Sequence, residues 1–125
     1  MCKTLIIEDN TAFRKSLREI LLNEFPSMII EEADHGKEVL KKIQDFPPDL
    51  IFLDIKLPGE SGLELTKKIK TTHPGIAIII LTGYDVQEYR NAAYELGANG
   101  FLIKNLTSIK EIAATVTSVL PAMNQ

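Results

Sequence analysis

The sequence predicts an α/β fold, a doubly wound five-stranded parallel sheet with helices on both faces. Two observations carry this. Five short apolar runs alternate with five amphipathic stretches, and glycine and proline punctuate the joints. The run at the middle of the chain is also apolar without interruption, as in a strand covered on both faces. Regular alternation of this kind builds βαβ units, whose right-handed crossovers lay helices on the two sides of the sheet.

The elements follow in order. Leu5-Ile6-Ile7 is the first strand and ends in Glu8-Asp9. Asn10 or Thr11 caps the helix striped by Phe13, Leu17, Ile20 and Leu21, which Pro26 closes. Met28 to Ala33 is a second strand, more polar at its end and so nearer a sheet edge. After the His35-Gly36 turn, Val39, Leu40 and Ile43 stripe a short helix that Pro47-Pro48 terminates. Leu50-Ile51-Phe52-Leu53 then runs straight into Asp54, and Pro58-Gly59 breaks the chain. Ser61 to Glu64 has the spacing of a capping box and opens a third helix, with Leu65 and Ile69 on its apolar face.

Ile76 to Leu81 is the fourth strand and ends at Thr82-Gly83-Tyr84. Asp85 to Glu88 has the pattern of a capped helix start, with Tyr89, Ala92, Ala93 and Leu96 as the buried stripe and Gly97 as the C-terminal cap. Gly100 to Ile103 is a short last strand that ends at Lys104. Ser108 to Glu111 opens a final helix striped by Ile112, Val116, Val119 and Leu120, and Pro121 stops it.

A chain of 125 residues with 45% hydrophobic and 25% charged residues suits one packed domain over residues 1–125. A net charge of −3 argues against a nucleic-acid surface in this segment. Cys2 is the single cysteine, which excludes a disulfide framework and a cysteine zinc site. The first apolar run meets Glu8 too soon for a signal peptide, and no run is long enough to span a bilayer. The expectation is a cytoplasmic protein without membrane contact. His35 and His73 read as surface histidines beside turns, and Lys41-Lys42 and Lys67-Lys68 as solvated helix faces.

In a parallel sheet every strand's C-terminal end lies on one rim, where ligands bind. The first strand delivers Glu8 and Asp9 there, the third Asp54, the fourth Thr82 and the fifth Lys104. Converging carboxylates repel unless something compensates them, and a hard divalent cation is the usual compensation. Lys104 adds a point charge suited to a phosphoryl oxygen.

These residues resemble those of the receiver domain of two-component response regulators, over essentially the whole chain. The matching positions are Glu8-Asp9, Asp54, Pro58-Gly59 with Gly62, Thr82, Lys104, and Gly97-Ala98-Asn99-Gly100-Phe101 leading into the last strand. The resemblance implies a flavodoxin-like (βα)5 receiver fold with strand order 2-1-3-4-5. It implies Asp54 as phosphoacceptor and Mg2+ as cofactor, held by Asp9, Asp54 and the backbone carbonyl of Lys56, with Glu8 assisting through water. Thr82 and Lys104 would bind the phosphoryl group, and Phe101 would be the switch aromatic. Lys56 and Tyr84 stand where residues of this family modulate the lifetime of the phosphoryl group.

The implied partner is a sensor histidine kinase or phosphotransfer protein. The implied output surface is formed by the last two helices and the strand between them, and it would serve a homodimer or an effector domain. The chain is expected to be a stand-alone regulator or a piece of a longer one. Two departures stand out. Asn105 follows Lys104 where the family often has a cis proline, and Phe101 lacks the hydroxyl of a tyrosine. A haloacid-dehalogenase-type phosphatase would want an Asp where Lys56 stands. A flavin-binding module would want hydroxyls and glycine where Glu8-Asp9 would repel the cofactor phosphate. A receiver that works by protein binding alone would not need the intact acidic set.

Overall fold

The computed structural model describes residues 2–120. Strands β1 (Lys3–Ile7), β2 (Ile29–Ala33), β3 (Leu50–Asp54), β4 (Ala77–Thr82) and β5 (Gly100–Ile103) alternate with helices α1 (Thr11–Glu24), α2 (Val39–Asp45), α3 (Gly62–Thr72), α4 (Gln87–Glu95) and α5 (Ile109–Val119). One 3₁₀ turn, Gly36–Glu38, precedes α2. The strands form one sheet in the order β2-β1-β3-β4-β5, and every pairing is parallel.

The strand period of two sorts the core into two layers. Ile6, Leu50, Phe52, Ile79 and Leu81 pack with Leu17 and Leu21 of α1 and with Ile112 and Val116 of α5. Leu5, Ile7, Ile51, Leu53, Ile78 and Ile80 pack with Val39 and Ile43 of α2, Leu65 and Ile69 of α3 and Ala93 of α4. β3 lies at the centre of the sheet and is buried along its length, while β2 at the edge alternates between exposed and buried residues. This is the reason for the uninterrupted apolar run of the one and the polar end of the other.

Several local expectations are met and several are corrected. The Asn10 side chain accepts the Phe13 amide at 3.0 Å and caps α1. Ser108 and Glu111 close a reciprocal capping box on α5. Gly97, at φ 103°, ends α4 in the left-handed region. Ser61, by contrast, accepts the Leu63 amide at 3.1 Å, and no return bond from the Glu64 side chain completes a box. Asp85 caps nothing, because the N-cap position of α4 falls one residue later than its pattern suggests, at Val86, which offers no side-chain cap.

Leu40 is 41% exposed, because α2 is under two turns long and only Val39 and Ile43 face the sheet. His35 is half-buried, with Nε2 3.6 Å from Asp34. All peptide bonds are trans among the described residues, Lys104–Asn105 included. No helix among them is long and apolar enough to cross a membrane. Pro121 lies outside the described residues.

Candidate phosphoryl-acceptor site

Residue parity explains who meets whom at the rim. Glu8 continues the face of Ile6, Asp54 that of Phe52, and Lys104 that of Leu102, so all three emerge on the α1/α5 side. β1 and β3 are neighbours, with Ile7 opposite Leu53, so Glu8 and Asp54 leave the sheet side by side. Lys104 reaches them from β5, its own amide bonded to the Thr82 carbonyl at 2.8 Å.

Asp54 is 4% exposed. One of its oxygens accepts the Lys104 ammonium at 2.9 Å and the other the Lys56 amide at 3.1 Å. Glu8 is fully buried, pairs with the same ammonium, and accepts the Asn10 amide at 3.2 Å. Asp9 is exposed and makes no hydrogen bond or ion pair through its carboxylate among the described residues. The Phe13 ring lies under Lys104, its centroid 4.9 Å from Nζ.

Two buried carboxylates share one ammonium, which leaves the charge unbalanced. Burial, and then the adjoining Asp54 carboxylate, push the Glu8 carboxyl up to about 7, with Lys104 pulling the other way. Burial pulls the Lys104 ammonium down, yet its bonds to Glu8 and Asp54 outweigh this and hold it above the ordinary lysine value.

Oxygens of Glu8, Asp9 and Asp54 lie within 4.8 Å of one another. Three hard oxygen donors, one of them exposed and unengaged, fit a small divalent cation that keeps part of its water shell. A softer metal would want nitrogen or sulfur here, and the cluster has neither. Asp34, His35 and Glu38 form a second, more exposed group along the same rim.

The other predicted residues are placed differently. Thr82 follows Ile80 and emerges on the opposite face of the sheet, the α2–α4 side. It is fully buried, and its hydroxyl accepts the Tyr84 amide at 3.1 Å. Phe101 is buried on that same side, beneath the Arg90 guanidinium at 4.7 Å. Tyr84 is 51% exposed, and the Lys56 ammonium lies 5.1 Å from its ring centroid.

Sequence reading missed two contributors, Phe13 and Arg14, and the spatial reason for a third, Gly62. Phe13 was legible only as part of a helical stripe. Its position in the first turn of α1, where side chains lean back towards the N-terminus, is the signal that aims it at the rim. Gly62 matched a motif, but its reason is spatial: a Cβ there would sit 2.1 Å from the Asp54 carbonyl oxygen. Arg14 carried no signal beyond sharing a helix face with Arg18.

Residues 4–117 match the response regulator receiver domain family. The chain is 37% identical over 108 residues to transcriptional regulatory protein YdfI of Bacillus subtilis, covering 86% of this chain and 50% of that one. It is 35% identical over 102 residues to chemotaxis protein CheY of Halobacterium salinarum, covering 82% and 83% respectively. Among solved structures, a CheY-like response regulator receiver domain protein from Methanospirillum hungatei superposes with a TM-score of 0.88 at 30% identity, over 99% of this chain and 97% of the other. The chain spans about half the length of the first curated relatives it matches.

Proposed function

The chain belongs to the response regulator receiver domain family, a signalling module of two-component systems, and from that premise we propose that Asp54 is its phosphoacceptor. The observation that carries this reading is the buried Asp54 carboxylate held at 2.9 Å by Lys104 on a rim with two further carboxylates. Asp9, Asp54 and the Lys56 carbonyl would hold Mg2+, with Glu8 assisting. When bound, the ion would supply charge neutralisation to the transferring phosphoryl group.

A carboxylate oxygen of Asp54 attacks phosphorus in line, and the bond to the donor's leaving group breaks as the Asp54 oxygen–phosphorus bond forms. Positioning and charge carry such a transfer. The Lys56 amide fixes the orientation of the carboxylate. Lys104 already lies where negative charge arrives, and it passes from Asp54 to the phosphoryl oxygens as the acceptor becomes an acyl phosphate.

Thr82 is the switch hydroxyl. Its bond to the Tyr84 amide holds it on the far side of the sheet, so reaching the phosphoryl group means moving the Thr82–Tyr84 loop. Phe101, opposite Ile80 of β4 and beneath Arg90 of α4, shares the face of the sheet on which Thr82 emerges, and this is the proposed coupling of the site to a surface made by α4, β5 and α5. That surface is the proposed contact for a second copy or an effector domain. The proposed donor is a sensor histidine kinase or phosphotransfer protein. Residues 1–125 act as one receiver domain, without nucleic-acid contacts of their own.

Acetyl phosphate with Mg2+ tests the assignment. The wild type should gain a hydroxylamine-labile phosphate, and a folded Asp54→Asn variant should gain none. Undiminished labelling of Asp54→Asn places the acceptor elsewhere.

A further inference from the structure

We propose that Arg14 is the positioning residue of the acidic loop: it ties the Glu8–Asp9 peptide to β2 and so aims Asp9 at the magnesium site. The inference rests on the magnesium-dependent reading above. Arg14 lies in the first turn of α1 with its side chain 17% exposed. Its Nε donates to Glu32 of β2 at 2.8 Å, and its Nη1 donates to the backbone carbonyl of Glu8 at 2.6 Å.

That carbonyl belongs to the peptide unit joining Glu8 to Asp9. The amide on the other side of Glu8 is bonded to the Ala33 carbonyl, also on β2, at 3.0 Å. Both peptide units flanking Glu8 are therefore fixed to the edge strand, one directly and one through Arg14. Beyond them the chain leaves the sheet. The Asp9 carboxylate has no protein partner of its own among the described residues, so no side-chain contact holds it and the backbone decides what it can reach. Rotation of the Glu8–Asp9 peptide plane would carry that carboxylate away from Asp54. A planar guanidinium that bridges two acceptors resists this rotation in a way that a single donor does not.

The sign of the effect separates positioning from charge. Arg14 is a cation bonded to the acidic loop, so removing only its charge would strengthen magnesium binding. Loss of its positioning would weaken binding. Arg18 provides the control, since it bonds the same Glu32 at 3.0 Å and the Ile30 carbonyl at 3.4 Å without touching Glu8.

Magnesium titration by calorimetry, and acetyl phosphate labelling across magnesium concentrations, are carried out on the full chain. Arg14→Met should raise the magnesium needed for half-maximal binding and labelling about 10-fold, as loss of an outer support to a metal ligand does. Its labelling rate at saturating magnesium should stay near that of the wild type, and Arg18→Met should match the wild type throughout. Unchanged or tighter binding in Arg14→Met, or an equal loss in Arg18→Met, overturns the inference while leaving Asp54 as acceptor. A wild type that binds no magnesium and takes no label overturns both. Should Arg14→Met not fold, Arg14→Lys keeps the charge without the bridging fork. Weakened binding in it supports the inference, and wild-type affinity overturns it.

Discussion

The buried Glu8 makes the metal-free protein sensitive to pH in an unusual direction. Its carboxyl moves from an ordinary value of 4.5 to about 7 on folding, chiefly through burial and then through Asp54. The folded state therefore holds this proton more tightly than the unfolded chain does. Its contribution to stability is fully present below the unfolded value and is lost as pH rises through the folded one. Between about pH 5 and about pH 8 this one group should lower stability by roughly 2 to 3 kcal/mol. That is a large share of the roughly 5–15 kcal/mol available to a domain.

Glu8→Gln removes the titration while keeping a side chain of similar shape. Urea unfolding in EDTA, for wild type and Glu8→Gln at both pH values, isolates Glu8 and the groups coupled to it, since groups distant from Glu8 cancel in the difference. The wild type should lose roughly 2 to 3 kcal/mol more than the variant on going to the higher pH. Saturating Mg2+ should reverse the trend, because at the proposed site it would bind the ionised carboxylates and stabilise the fold by mass action. Parallel pH profiles for the two proteins in EDTA, or a wild type that gains stability with pH relative to the variant, would refute the reasoning.

Two further outcomes are expected. A Cβ on Gly62 would meet backbone atoms of Asp54 and Ile55, so Gly62→Ala should cost about 3 kcal/mol or more in urea unfolding. Gly75→Ala, with nothing within 4 Å, should change stability by under about 0.5 kcal/mol, and equal effects at the two glycines would contradict the geometry. Tyr84 and Lys56 pair over the loops that flank Asp54, which supports the proposal that they limit water's approach to the phosphoryl group. Tyr84→Ala should then shorten the phosphate lifetime several-fold at saturating magnesium, and equal lifetimes would remove Tyr84 from this role.

Much of the fold lies open in the sequence because its signals are local. Uninterrupted apolar runs mark strands buried on both faces, and Leu50 to Leu53 shows this plainly. Proline, glycine and the Asn10 and Ser108 caps mark the joints. Parallel strands then oblige Glu8, Asp9, Asp54, Thr82 and Lys104 to share one rim, whatever the packing. Caps were less secure where two patterns competed. Asp85 and Ser61 both fit capping sequences, but the turn preceding each helix set which backbone amide was in reach.

Only the tertiary structure decided which rim residues touch. The order β2-β1-β3-β4-β5 makes β1 and β3 neighbours and so brings Glu8 beside Asp54 under one ammonium. Strand parity turns Thr82 and Phe101 to the opposite face, where the Tyr84 amide and Arg90 meet them. The support of Lys104 by Phe13, the bridge from Arg14 to the Glu8 carbonyl and the pairing of Lys56 with Tyr84 all join different segments of the fold. Such contacts depend on the relative placement of whole elements, which the packing of two opposed hydrophobic layers sets and no local pattern encodes.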